Sequence, residues 1–336
     1  MRLPFSRAGR LLPVAILSAV VALSGCSTTG TEDSGAAPDS SSAAGSAFPV
    51  TIATAFGDVT VSKQPERVVA LGWSDADVAL SLGVQPVGAA DWLAFGGDGQ
   101  GPWNAGKYTT KPEILGTLEI DMEKVAALKP DLILDTRSSA EKARHDQLAA
   151  LGVPVIEPPK GSEMYLTSWE DQLDMIGKAL GKTTEAAKLK TDLDAKFTAA
   201  AAANPNFKDK TVAAVAKTGD GWGGYVTGDG RVDFLTKLGF KNAPAIEALK
   251  KDSFYIPLSN EQLDLADADV TVVFLIQATL AQAKADKIFQ AVPSVKAGHV
   301  AYMDDKDISN AFSSSSVAGL SFAVDKVTPL LATAVG

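Results

Sequence analysis

One stretch, Ile120 to Leu134 (IDMEKVAALKPDLIL), limits what this chain can become more than any other. Met122, Val125, Ala126 and Leu128 fall near helical spacing, so its first half is a short amphipathic helix. Lys129-Pro130 stops that helix, because proline cannot donate to it and biases the preceding residue away from the α region. Leu132-Ile133-Leu134 then reads as a short strand buried on both faces. Helix, stop and strand make half of a β–α–β unit. The same order returns 138 residues later, from Glu261 to Val273 (EQLDLADADVTVV). Glu123 precedes Asp131 by eight residues, and Glu261 precedes Asp269 by eight; each aspartate opens a strand. A chain with this grammar folds as two similar lobes, each presenting a glutamate at the same position.

The rest of the chain fills in those lobes. Val50–Ile52 and Val59–Val61 alternate like a hairpin around Gly57-Asp58. Arg67–Leu71, Val84–Ala89 and Val153–Ile156 read as buried strands, with helices near Ala76–Leu82 and Ala140–Leu151. Repeated strand–helix–strand units imply a parallel sheet covered on both faces. Trp169, Leu173, Ile176 and Leu180 make one helical stripe. Thr184 to Ala203 is then helical almost without breakers, and twenty such residues span about 30 Å, enough for a strut between lobes. The second lobe opens with Val212–Val215. It continues through a glycine-rich loop (Gly219 to Gly230), whose glycines are expected to make room for a ligand, and a helix over Val232–Leu238. It closes with the Glu261 unit, a helix around Lys284–Phe289, the strand Val300–Tyr302 and a last helix from Ser315 to Leu331. Asp304–Asp307 reads as a solvated turn.

The first 25 residues form an export signal. Arg2, Arg7 and Arg10 precede an apolar run, Leu11 to Leu23, too short for the ~20 residues that span a bilayer. Leu23-Ser24-Gly25-Cys26 resembles a lipobox, and Cys26 is the only cysteine, so its expected fate is lipidation. Residues 26–47 are Ser, Thr, Gly, Ala and Pro with a few acids, a composition that reads as a disordered tether. Without the signal the chain carries 28 basic against 40 acidic residues, net −12, which excludes the basic stripe that nucleic acid requires.

Several enzyme signatures fail. Gly177-Lys-Ala-Leu-Gly181-Lys-Thr has three residues between its glycines where a phosphate-binding loop needs four. Gly219-Asp-Gly221-Trp-Gly223-Gly224 is not a dinucleotide fingerprint. His145 and His299 have no metal-ligand partner at a useful spacing, and no G-x-S-x-G elbow is present. The expectation from these failures is a chain that is not an enzyme and has no intrinsic cofactor or metal.

From Phe48 onward the chain resembles the substrate-binding proteins of ABC importers for ferric siderophores, haem and cobalamin. The matching pieces are Pro65–Leu71, Leu82–Gly88, Ile114–Gly116 with the stretch that follows it, Leu151–Ile156, Leu238–Asn242, Leu258–Glu261 and the final helix. Gly72-Trp-Ser-Asp75, Asp91-Trp92, Gly101-Pro-Trp103 and Lys107-Tyr108 resemble the actinobacterial iron–siderophore subgroup. The resemblance implies an α/β fold of the periplasmic-binding-protein type: two Rossmann-like lobes with central parallel sheets, residues 48–165 and 206–336. A helical connection, 166–205, contains one long helix that joins them. It implies a monomer anchored by lipid at Cys26 to the outer face of the cytoplasmic membrane. Its ligand would be a ferric siderophore and its partner a permease. Haem or cobalamin as ligand, or a scaffold role in the cell envelope, stand as alternatives. Glu123 and Glu261 match the family's permease-docking glutamates, carboxylates suited to bidentate bonds from arginines.

Ligands of such folds sit at the C-terminal ends of the strands. Loops there carry Trp73, Trp92, Thr117 and Arg137 in the first lobe. In the second they carry Trp222, Tyr225, Arg231, Tyr255 and Phe312, while Trp103 and Tyr108 lie on a long irregular loop. The aromatic rings would give flat contact to a bulky chelate, and Arg137 and Arg231 would meet its anionic groups.

Overall fold

The computed structural model describes residues 47–251 and 253–336. The signal, Cys26 and the tether up to residue 46 lie outside the described residues. A hairpin of β1 (Val50–Thr54) and β2 (Gly57–Val61) comes first. The first lobe then runs β3 (Val68–Ala70), α1 (Asp75–Ser81), β4 (Gly88–Ala89), β5 (Glu113–Ile114), α2 (Met122–Ala127), β6 (Leu132–Leu134), α3 (Lys142–Ala149) and β7 (Val155–Ile156). Its five strands are all parallel, in the order β5-β4-β3-β6-β7. β3 and β6 are buried along their whole length, as short unalternating apolar runs require.

Two helices follow, α4 (Trp169–Ala179) and α5 (Thr183–Ala203). α4 lies on the first lobe, against α1 and β1, so the connection itself is α5. The second lobe runs β8 (Thr211–Thr218), β9 (Trp222–Tyr225), α6 (Gly230–Lys237), β10 (Lys241–Asn242), α7 (Pro244–Glu247), β11 (Tyr255–Leu258) and a 3₁₀ turn at Asn260–Ala266. Then come β12 (Val270–Ile276), α8 (Leu280–Ala285), α9 (Pro293–Lys296), β13 (Val300–Met303), α10 (Lys306–Ser314) and α11 (Val317–Val335). Its sheet has the order β11-β9-β8-β12-β13, with β10 beside the start of β8.

That second sheet is mixed rather than parallel throughout. β9 pairs antiparallel with both β8 and β11. The glycine-rich segment expected to be a ligand loop is therefore partly a central strand. Its glycines serve the packing of neighbours. A Cβ on Gly223 would lie 2.2 Å from the Tyr255 ring, and one on Gly224 would lie 2.7 Å from Ile246.

The two strand-opening aspartates do the same work in each sheet. Asp131 accepts the backbone N–H groups of Glu66 and Arg67 at 2.9 and 2.8 Å, just before β3. Asp269 accepts the N–H of Thr211, at the start of β8, at 2.8 Å and the Lys210 ammonium at 3.0 Å. Each fixes the register of its own strand against the central strand beside it.

The lobes share more than α5. The last helix, expected from Ser315 to Leu331, is α11, and an unexpected helix, α10, precedes it: Asp304–Asp307, expected as a solvated turn, leads into α10, and Ser315, whose φ of 51° is left-handed, separates the two helices. α11 packs on both α5 and α1, and Lys196 of α5 reaches the Ser321 carbonyl at 2.6 Å and Asp325 at 2.7 Å. One buried apolar cluster runs from Val68 and Ala79 through Leu173, Leu193 and Val324 to Phe234 and Phe312. By length and composition α11 could cross a membrane, but half of that segment is buried inside the fold.

Candidate ligand-binding cleft

The C-terminal ends of the two sheets face a common cavity of about 900 Å³. Trp73 follows β3, Trp92 follows β4 and Leu118 lies beyond β5. Across from them stand the ends of β12 and β13 and one face of α10.

Trp73 is fixed before any ligand arrives. Its ring is stacked between Trp92 (centroids 4.5 Å apart, 11° between planes) and Tyr165 (4.2 Å, 20°). Its N–H donates to the Arg137 carbonyl at 2.9 Å, and its carbonyl accepts from the Gln172 amide at 2.8 Å. Beneath it the buried Asp75 carboxylate accepts from the N–H groups of Gly72 and Thr136, both at 3.0 Å, from the Gln172 amide at 2.7 Å and from the Thr136 hydroxyl. Burial raises the Asp75 pKa to about 6 against the opposing pull of these bonds. The turn carrying Trp92 and Leu93 is held by Asp91, which accepts from Phe95 and Gly96 N–H at 2.8 and 2.7 Å.

Arg231 is the second lobe's guanidinium at the cavity. It starts α6 beside Asp229, whose carboxylate caps the helix by accepting the Arg231 N–H at 2.9 Å. The same carboxylate receives Nη1 at 3.2 and 3.0 Å, and the guanidinium lies 4.4 Å above the Tyr225 ring. Nε of Arg231 is buried without a partner. The Asp229 and Tyr225 neighbours outweigh burial and hold the guanidinium pKa above its ordinary value.

Arg137 does not line the cavity. It is 5% exposed; Nε donates to the Tyr165 carbonyl at 3.0 Å and Nη1 to the Ser314 carbonyl at 2.9 Å. The Ser74 hydroxyl donates to that same carbonyl at 2.8 Å. Two first-lobe side chains thus cap the C-terminal end of α10 in the second lobe, and burial lowers the Arg137 pKa to about 10. Arg137, expected to face the ligand, instead ties the first lobe to the C-terminal end of α10 and does not line the cavity.

Other expected ligand residues also lie elsewhere. Trp222 is buried behind the second sheet, stacked on Phe289 at 3.9 Å, with Nε1 donating to Asp286 at 2.8 Å. Phe312 is buried under α10, stacked on Phe274 at 4.8 Å. Tyr225 is the buried shelf beneath Arg231, and Tyr255 is half-buried 5.4 Å from it. Trp103 pins the loop after β4 to α1, its Nε1 donating to the buried Asp77. Tyr108 lies on that loop, half-buried with an unpartnered hydroxyl. Thr117 is exposed; its neighbour Leu118 reaches the cavity.

α10 supplies residues that the sequence reading missed. Asp305 caps it by accepting from Asp307 and Ile308 N–H at 2.9 and 3.0 Å. Ala311 and Phe312 then face the core, leaving Ser309, Asn310 and Ser313 to the cavity. An aspartate followed by Ile308, Ala311 and Phe312 at helical spacing was the available signal. Among the described residues no three His, Cys, Asp or Glu side chains converge as a metal site.

Glu123 and Glu261 occupy matching positions. Each is exposed, and each is the second residue of a short helical turn. Each turn follows the edge strand of its sheet, β5 or β11. Asp121 caps the first turn, and a Ser259–Gln262 capping box starts the second.

A sequence profile of the periplasmic binding proteins matches residues 68–306. The probable siderophore-binding lipoprotein YfiY of Bacillus subtilis is 27% identical over 317 residues, covering 86% of this chain and 88% of that one. The Fe(3+)-citrate-binding protein YfmC of the same organism is 27% identical over 254 residues, covering 75% and 76%. The crystal structure of Streptococcus pneumoniae PiaA in complex with ferrichrome superimposes with a TM-score of 0.73 at 25% identity, covering 85% of this chain and 98% of that one.

Proposed function

The chain belongs to the periplasmic binding protein family, and from that premise we propose that it is the substrate-binding component of an ABC importer that captures a ferric siderophore between its lobes. The observation that carries this reading is the cavity of about 900 Å³ at the strand ends, walled by the Trp73–Trp92 stack and facing Arg231 and α10. Its size suits a bulky chelate, and its aromatic wall is pre-positioned, so little ordering cost falls on binding. The relatives named for siderophore and ferric citrate binding support the cargo class. Iron travels as cargo within the chelate's own oxygens, and the protein contributes shape, rings and hydrogen bonds.

In this reading Trp73, Trp92 and Arg231 contact the chelate, joined by Leu118 and the polar face of α10. Glu123 and Glu261 meet arginines of the permease, one from each lobe. Acyl chains on Cys26 hold the monomer at the outer face of the cytoplasmic membrane, where stable anchoring takes more than one chain. The test is a tryptophan-emission titration with ferric siderophores, haem and cobalamin. Tight quenching by a ferric siderophore is the expected result. Tight binding of haem or cobalamin without any siderophore would overturn the reading, and an empty panel with a folded protein would return a non-transport envelope protein.

A further inference from the structure

Oxygen-donor chelates of iron(III) differ sharply in charge. Three hydroxamates lose one proton each, so their ferric complex is neutral. Three catecholates lose two each, which leaves the complex with three negative charges, and ferric complexes of polycarboxylates are anionic as well. A cleft that takes such an anion from water must offer uncommitted cations, because an ion desolvated without partners is strongly disfavoured.

This cleft offers few. Among the described residues, the charged side chains lining it are Arg231, Asp304 and Lys306. Arg231 is already paired with the buried Asp229 through two contacts of 3.0 and 3.2 Å. Its charge is balanced by that carboxylate, and its one unpartnered buried atom, Nε, is not exposed to the cavity. Lys306 is exposed and stands among Asp304, Asp305 and Asp307, so this rim is net acidic. Arg137, the other guanidinium close by, lies outside the cavity with Nε and Nη1 on backbone carbonyls. What remains is apolar wall, such as Trp73, Trp92, Ile276 and Met303, and neutral donors such as Ser309 and Asn310.

Resting on the siderophore reading above, we infer that the cargo is a chelate of little or no net charge, of the tris-hydroxamate type, and that the acidic rim of α10 discriminates against polyanionic chelates. The experiment is an emission titration of the purified protein with a neutral ferric tris-hydroxamate, a ferric tris-catecholate and ferric citrate, at low and high salt, with haem and cobalamin alongside. The hydroxamate should bind tighter than the catecholate by at least about a hundredfold, with an affinity that salt barely changes. Asp304→Lys, at an exposed position, should narrow that ratio about tenfold. Catecholate or citrate binding as tightly as hydroxamate would overturn this inference and leave the siderophore reading standing, as would an unchanged ratio in Asp304→Lys. Binding of haem or cobalamin alone would overturn both.

Discussion

Replacing Ser74 with Ala and Arg137 with Met, singly and together, tests whether one carbonyl ties the lobes. The Ser314 carbonyl ends α10, where helical carbonyls have no partner of their own, and Ser314 is 1% exposed. It accepts from Ser74 at 2.8 Å and Arg137 at 2.9 Å. Ser74→Ala removes one neutral bond, costing about 1 kcal/mol. Arg137→Met removes two bonds from a charged donor, about 1.5–3 kcal/mol each. Against that stands relief of a buried guanidinium whose pKa has fallen to about 10, roughly 3 kcal/mol. The net single cost is about 0–3 kcal/mol. Each single variant leaves the carbonyl one donor. The double variant leaves it buried and bare, adding about 1–3 kcal/mol beyond the sum. Urea unfolding at neutral pH, with shared m-values, measures this cycle; affinity for the ferric chelate is read in parallel. Additivity within about 0.5 kcal/mol would refute the shared acceptor. So would an Arg137→Met protein of unchanged stability whose affinity fell more than tenfold, since that result would make Arg137 a ligand contact after all.

Asp75 sets a pH dependence. Its folded pKa of about 6 lies above the ordinary 3.8, so the stability tied to its protonated form is fully present below pH 4 and is lost as pH rises through 6, about 3 kcal/mol in all. Against Asp75→Asn, the wild-type protein should therefore lose stability more steeply between pH 4 and 7 in urea titrations; equal slopes would count against it. Trp222→Ala should cost about 3–5 kcal/mol as a core truncation and leave chelate affinity within a few-fold. Trp73→Ala should do the reverse, weakening the chelate by about tenfold or more while stability, measured by thermal unfolding, falls less. Glu123→Ala with Glu261→Ala should leave affinity intact and abolish uptake by cells; normal uptake would dismiss the docking proposal.

What the sequence revealed depended on how locally each feature is determined. β3 and β6 were legible because a strand buried on both faces needs an unbroken apolar run, and α5 because nothing in Thr183–Ala203 breaks a helix. β9 was not, because Gly223 and Gly224 answer to Tyr255 and Ile246, on elements that only the fold brings near. Trp222 and Trp73 look alike in sequence, each beside glycine near the end of a strand. The pleat sends Trp222 behind the sheet to Phe289, while Trp73, past the end of β3, turns into the cleft. Arg137 and Arg231 looked equivalent too. One meets a carbonyl 177 positions away and the other a carboxylate two positions before it, and only the second pairing could be guessed from the chain.

The repeat that limited the fold at the outset has a geometric consequence. In both sheets the glutamate follows the edge strand, and the aspartate eight residues on anchors the start of the central strand. β11 is antiparallel to β9, which is antiparallel to β8, so β11 ends at the same side as β8, as β5 does with β3. Both glutamates are therefore tied to the cleft side of their own sheet, and the span between them depends on how the two sheets are held. α11, packed on α1 and α5, and the Ser314 clasp are what hold them. If the permease reads the pair as a fixed span, loosening the clasp must harm docking more than capture. The Ser74→Ala, Arg137→Met protein, assayed where it is still folded, should then lose several times more uptake than its chelate affinity accounts for. Uptake that simply tracks affinity would mean that the permease does not read the distance between the lobes.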